Sequence, residues 1–84
     1  KNGSIYAYNF YMKVVKSQVL MYMHEKLLLE KELKSNEVKE MFELEDKTFY
    51  RYIQEIKAYY SNLYKDYLLV YSRGDKKYFL EMKE

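Results

Sequence analysis

Residues 46–63 read DKTFYRYIQEIKAYYSNL, and they form the most regular pattern in the chain. Its apolar positions are separated by steps of 4, 3, 4 and 3 residues, which aligns their side chains on one face of an α-helix. Asp46 is a residue type that caps helix N-termini. The stretch therefore predicts a helix after Asp46 whose buried positions are Phe49, Ile53, Ile56, Tyr60 and Leu63.

The opposite face of this helix carries polar side chains. At about 100° per residue, it presents Lys47, Arg51, Gln54 and Ala58. Arg can donate two hydrogen bonds to guanine, and Gln can pair with adenine, in the major groove of DNA. The spacing alone fits an ordinary solvated face equally well. Lys57 lies nearer the buried face, where it can reach a phosphate or cover apolar surface with its stem.

One competing role for Arg51 follows from the same helical spacing. Glu55 lies four residues after Arg51 and can form an exposed ion pair with it. Such a pair contributes only about 0.2–0.5 kcal/mol. We therefore expect it to give way to a guanine contact.

A second, shorter helix is predicted just before the long one. Ser35 and Asn36 are favourable residue types for a helix N-terminus. The helix after them has one apolar side, formed by Val38, Met41 and Phe42. A short polar turn, residues 43–46, joins the two helices, which is the layout of a helix-turn-helix.

A first helix is predicted from residue 12 onward, over about five turns. Its apolar stripe recurs every fourth residue, at Val15, Val19, Met23 and Leu27, and Leu20 and Leu28 broaden it. Residues 1–11 are rich in tyrosine and fit neither the helical nor the strand period, so a strand and a helix both remain open for them. The sequence thus predicts an N-terminal extension, residues 1–11, and one domain, residues 12–84.

The C-terminal part predicts a β-hairpin. Residues 67–71 read YLLVY and residues 77–82 read KYFLEM, and the residues between them include Gly74, which adopts the positive φ that such turns need. A hairpin directly after a helix-turn-helix is a wing. The predicted fold is therefore mainly α: a three-helix winged helix-turn-helix with a C-terminal two-stranded β-hairpin.

Composition bounds the possible functions. The chain has 84 residues, 49% hydrophobic and 33% charged, which suits one folded domain. It has no cysteine and a single histidine, His24, expected at the surface or boundary of the first helix. No nucleophile motif or phosphate-binding loop occurs. We expect no enzyme activity, no metal and no cofactor, and the short apolar runs predict a cytoplasmic protein without a membrane span.

The net charge is only +2, but it is unevenly distributed. Residues 1–23 carry three Lys and no acid, residues 24–45 carry four Lys and seven Glu, and residues 46–84 carry eight basic and six acidic residues. Within residues 47–77 there are seven basic and three acidic residues, a balance of +4. This excess is a weak signature of nucleic-acid binding.

Residues 41–53, MFELEDKTFYRYI, resemble the turn and recognition helix of the DeoR-type and WYL-domain bacterial transcriptional regulators. The positions that match by identity or by type are Phe42, Leu44, Lys47, Thr48, Phe49, Tyr50, Arg51 and Ile53. The basic hairpin resembles the wing of that family through Tyr71, Arg73, Gly74, Lys76, Lys77, Tyr78 and Leu80. In the turn, Glu43 stands where the family has Gly, Glu45 where it has Ser, and Tyr52 where it has Asp.

The resemblance implies sequence-specific binding of double-stranded DNA for transcriptional regulation, with the third helix in the major groove and the basic wing on the backbone. It also implies a homodimer, joined through the first helix or the N-terminal extension. A longer parent protein would carry a ligand-sensing C-terminal domain, in keeping with a chain that begins at Lys1 rather than Met. The DNA-binding residues are expected to be Ser35, Lys47, Thr48, Tyr50, Arg51, Gln54, Lys57, Arg73, Lys76 and Lys77.

A different function remains open. The same fold can serve as a protein–protein interaction module, for oligomerisation or as a scaffold, without binding DNA. The low net charge and the acidic middle segment favour this alternative.

Overall fold

The computed structural model describes residues 14–83. It contains three helices and three strands in the order α1 (Lys16–Leu29), β1 (Leu33–Lys34), α2 (Ser35–Phe42), α3 (Asp46–Leu63), β2 (Tyr67–Ser72) and β3 (Lys77–Met82). The described part is thus mainly helical with a small antiparallel sheet, as the sequence predicted. The expected N-terminal extension, residues 1–11, lies outside the described residues.

The sheet has three strands rather than the two that were predicted. The hairpin of β2 and β3 is confirmed, with a register that runs from Tyr67 opposite Met82 to Ser72 opposite Lys77. The additional strand β1 pairs with the other edge of β3, which gives the order β1-β3-β2. A strand of two residues is too short to show a period in the sequence, and only the neighbouring β3 makes it a strand.

The core lies where the apolar faces of the helices meet the sheet. It consists of Val19, Met23 and Leu27 from α1, Leu33 and Leu69 from the sheet, Val38 from α2, and Phe49, Ile53, Ile56 and Tyr60 from α3. The predicted stripes of α1 and α3 are therefore confirmed, except at their ends. Leu63, the last residue of α3, is 66% exposed. The period of the sequence places Leu63 on the apolar face of α3, but it does not show whether another element covers that face at the end of the helix.

Helix α1 begins later than the sequence predicted. Val15 has extended backbone angles, and the helix starts at Lys16. The backbone N–H of Val15 donates a hydrogen bond to Oε1 of Gln18, 3.2 Å away. This bond satisfies a backbone donor where the helix itself offers no partner, so the helix can start here.

The predicted caps of α2 and α3 are wrong in one respect. Ser35 and Asp46 are the first residues of their helices, not the residues before them, and neither helix has a side-chain cap at the preceding position. The Asp46 carboxylate instead accepts a hydrogen bond from Nζ of Lys39, 2.9 Å away. The Ser35 hydroxyl donates to the backbone carbonyl of Lys76 in the hairpin turn. Both side chains therefore link their helix to another element instead of capping it.

Candidate nucleic-acid interface

The turn between α2 and α3 is set by the backbone of Glu43. This residue has φ 53° and ψ 50°, in the left-handed region that favours glycine. The N–H of Leu44 donates to the carbonyl of Lys39, 2.8 Å away, and closes the end of α2. Glu43 is the position at which the resembled regulators have Gly. In this chain a residue with a Cβ therefore adopts the left-handed conformation, and its backbone is strained.

The polar face of α3 is open to solvent. Lys47, Arg51, Gln54 and Ala58 are all exposed, on the side of the helix opposite the core. The ion pair between Arg51 and Glu55 that the spacing allowed does not form, because Glu55 pairs with Lys16 of α1 instead. Within residues 14–83, Arg51 makes no ion pair. Its guanidinium is therefore available to a ligand on this face.

The hairpin turn carries two exposed cations, Arg73 and Lys76. The prediction that Gly74 adopts the positive φ of this turn is wrong, because the φ of Gly74 lies outside the range from +20° to +160°. Lys76 has φ 54° instead, in the left-handed region. The Ser72 hydroxyl donates to the carboxylate of Asp75 at 3.4 Å, and this hydrogen bond holds the Asp75 side chain against the turn. Two cations and one carboxylate give the tip a modest positive charge.

Ser35, predicted to contact phosphate, lies in a different environment. It is only 7% exposed, and its hydroxyl donates to the backbone carbonyl of Lys76 at 3.1 Å. The hydroxyl of Ser35 already has a partner within the protein. We therefore assign it to the contact between α2 and the hairpin and not to the nucleic-acid interface.

Lys77 is also engaged within the protein. Its Nζ lies 2.7 Å from a carboxylate oxygen of Glu32, just before β1. This hydrogen bond raises the pKa of Lys77 and lowers the pKa of Glu32, so both groups stay charged over a wider pH range. Because the carboxylate compensates the ammonium, Lys77 adds little to the positive charge of the hairpin.

A cleft separates α3 from the hairpin. Its volume is about 230 Å³, and it is lined by Tyr50, Ile53, Gln54 and Lys57 of α3 and by Leu69, Tyr71 and Tyr78 of the hairpin. Three of the predicted site residues, Tyr50, Gln54 and Lys57, thus meet at one place, while Thr48 is half-buried in the first turn of α3. The tyrosines of the hairpin, Tyr71 and Tyr78, were not predicted to line this cleft. The available signal was the period of two along a strand, which places Tyr71 on the same face of the sheet as the buried Leu69.

A second cavity lies on the other flank of α3, against α1. It measures about 320 Å³ and is lined by Leu20, Met21, His24, Glu55, Ile56 and Tyr59. His24 is half-buried at this boundary, as predicted, with Nδ1 2.6 Å from the Tyr60 hydroxyl. The ring of His24 also packs edge-on against Tyr59. This flank is mostly apolar and contrasts with the charged outward face.

Neither a scan against protein-family models nor searches of curated proteins and of solved structures found a match to this chain. Within residues 14–83, no helix combines the length and the apolar composition that crossing a bilayer requires. The same residues contain no group of three or more His, Asp or Glu side chains placed to hold a metal ion.

Proposed function

We propose that this chain is a winged helix-turn-helix domain that binds double-stranded DNA sequence-specifically, for transcriptional regulation of the kind carried out by the bacterial regulators that it resembles. In this proposal α3 enters the major groove and the β2–β3 hairpin is the wing on the backbone. The observation that carries it is the exposed face of α3, which presents Lys47, Arg51 and Gln54 while the neighbouring Glu55 is paired with Lys16 of α1. The order of elements, with a hairpin directly after the α2–α3 pair, supports it.

The charge of the described surface also supports the proposal. Five cations are exposed on α3 and the hairpin turn: Lys47, Arg51, Lys57, Arg73 and Lys76. Two further exposed carboxylates of α3, Asp46 and Glu55, are each paired with a lysine of another helix. The opposing carboxylates are Asp75 in the hairpin turn and the exposed Glu43 and Glu45 before α3. The excess of positive charge on this surface favours binding of a polyanion, although less strongly than in a highly basic domain.

The residues divide by chemistry into base-reading and backbone contacts. Arg51 and Gln54 can form the two-point hydrogen bonds that distinguish guanine and adenine in the major groove. Lys47, Lys57, Arg73 and Lys76 suit phosphates, as do the hydroxyls of Thr48 and Tyr50. A homodimer would place two such faces on two half-sites, and the exposed apolar residues of α1, Met21, Leu28 and Leu29, suit its interface.

The second candidate is a protein-interaction module, favoured by one specific observation. The cavity between α1 and α3 is mostly apolar, and Met21 at its rim is exposed. Clustered exposed apolar surface marks many protein-binding sites. In this alternative the cations of α3 are a solvated face, and nucleic acid is not a partner.

A salt titration of DNA binding separates the two functions. If the four cations assigned to the backbone each meet a phosphate, the logarithm of affinity for a labelled random duplex should fall with the logarithm of salt concentration at a slope of about −4. The double variant Lys47→Gln, Lys57→Gln should make this slope shallower, whereas Lys26→Gln on α1 should not. No binding at low salt, or a flat salt response, would remove the DNA proposal and favour the interaction module.

A further inference from the structure

The cleft between α3 and the hairpin has aromatic walls. Tyr50, on the α3 side, is 58% exposed. On the hairpin side, Tyr71 and Tyr78 face each other across the two strands, with ring centroids 4.6 Å apart and planes inclined by 42°. Tyr71 is 45% exposed, so a ligand in the cleft can reach a ring on each wall.

The cleft is anchored in the core. Its inner residues, Ile53 and Leu69, are buried, and the Tyr78 ring packs against Phe49 at 6.1 Å. Burial raises the pKa of Tyr78, and the nearby phenols of Tyr71 and Tyr50 raise it further. All three tyrosines line this cleft and present flat, uncharged rings to it. Packing against Phe49 and Tyr71 holds the Tyr78 ring in place.

Two polar side chains complete the rim. The Gln54 amide offers both hydrogen-bond donors and an acceptor, and the Lys57 ammonium offers a positive charge. Both are exposed on α3. Arg73 and Lys76 lie two residues beyond the Tyr71–Tyr78 pair along each strand, in the hairpin turn. Flat aromatic walls, an amide on the rim and cations around it are the chemistry that binds a nucleobase together with its phosphates.

We propose that this cleft takes one unpaired base of a DNA strand, which stacks between Tyr50 and Tyr71 with Gln54 on its edge. Lys57 then contacts the adjacent phosphate. The inference rests on the DNA-binding function proposed above and specifies a preferred form of the DNA, in which Gln54 and Tyr50 contact the unpaired base instead of the paired adenine and the phosphate assigned to them above. A base inside a paired duplex is stacked on both faces and cannot enter, so the base comes from a single strand or is extruded from a duplex.

The experiment compares three labelled oligonucleotides of the same sequence: a single strand, a fully paired duplex, and a duplex with one unpaired 2-aminopurine nucleotide. The single strand also carries 2-aminopurine. We expect tighter binding to a form with an unpaired base than to the paired duplex, with quenching of 2-aminopurine fluorescence on stacking. Quenching in the single strand or in the bulged duplex identifies the source of the base.

Variants of the cleft test the assignment. Tyr50→Ala should weaken binding of the unpaired base by about tenfold, because stacking of one base on an aromatic ring contributes about 1–3 kcal/mol. Tyr50→Phe should keep the ring and the preference. Tyr59→Ala, on the other flank of α3, is the matched control and should have little effect. If Tyr50→Ala does not fold by circular dichroism, Tyr71→Leu removes the other wall and keeps an apolar strand residue.

The outcomes separate this inference from the proposed function. Binding of the paired duplex without preference for an unpaired base, or a preference that Tyr50→Ala leaves intact, would overturn the cleft assignment and leave duplex recognition standing. Binding and quenching of the single strand without binding of the paired duplex would support the cleft and overturn duplex recognition.

Discussion

The Ser35 hydroxyl donates a hydrogen bond to the backbone carbonyl of Lys76, 3.1 Å away, and ties the first turn of α2 to the turn of the hairpin. The backbone N–H of Ser35 donates to the same carbonyl at 3.3 Å. One residue of α2 therefore fixes the hairpin turn that carries Arg73. The position of the proposed wing depends on this contact as well as on the sheet.

Ser35→Ala should destabilise the domain. A buried hydroxyl is lost, and a hydrogen bond of this kind contributes about 1 kcal/mol to the free energy of unfolding. Urea denaturation measures the loss, and Asn36→Ala, at the exposed neighbouring position, is the control. If Ser35→Ala kept full stability but lost DNA affinity, the hydroxyl would contact phosphate and our assignment would be wrong.

Arg51→Ala should reduce sequence preference and leave stability nearly unchanged. Arg51 is exposed and does not pair with Glu55, so the folded domain loses little. Binding to the preferred duplex should weaken by about 1–3 kcal/mol, with less effect on random DNA. The melting temperature and both affinities are measured together, with Lys26→Ala as the control. A large drop in melting temperature with an unchanged specificity ratio would make Arg51 a structural residue.

Arg73 and Lys76 should supply phosphate contacts, whereas Lys77 should not. The double variant Arg73→Gln, Lys76→Gln is expected to weaken all DNA sequences alike and to reduce the salt slope by about 2. Lys77→Gln should leave the slope nearly unchanged, because Glu32 already compensates that ammonium. A shift in sequence preference by the double variant would show that the hairpin turn reads bases.

Glu43→Gly should both stabilise the domain and tighten DNA binding. A left-handed conformation costs a residue with a Cβ about 1–2 kcal/mol, which the variant recovers. Glycine has more conformational freedom in the unfolded chain, and this reduces the gain in stability by about 0.4–1 kcal/mol. Glu45→Gly is the matched control, since Glu45 has φ −72° and the variant removes the same charge without relieving strain. Both variants should bind DNA more tightly, but only Glu43→Gly should raise the urea midpoint. Equal stability changes in the two would contradict the strain at Glu43.

Tyr60 should make the domain less stable at alkaline pH. Burial raises the pKa of Tyr60 to about 12, while a tyrosine in the unfolded chain titrates near about 10. Between these values the unfolded chain releases a proton that the folded protein retains, so stability falls as the pH rises from about 10 to about 12. Urea denaturation across this range should show a smaller loss for Tyr60→Phe than for the unmodified chain or for Tyr50→Phe. An identical loss in all three would contradict a buried, neutral Tyr60.

The three helices and the hairpin of this protein could be predicted from local patterns in the sequence. The 4-3-4-3 spacing of α3 placed Phe49 and Ile53 in the core and, by the same geometry, Arg51 and Gln54 on the exposed face. The two apolar runs around residues 72–76 predicted the hairpin. These features depend on residues a few positions apart, whose relative directions the helix and strand periods already fix.

The contacts between groups that are distant along the chain could not be predicted in this way. The sequence did not predict strand β1 or the hydrogen bond from Ser35 to Lys76. It also did not predict two ion pairs, Lys77 with Glu32 and Lys16 with Glu55. It also left unassigned the tyrosines that line the cleft beside α3. In each case the partners lie far apart along the chain. No local period relates such groups, and only the packing of the helices on the sheet brings them within reach of one another.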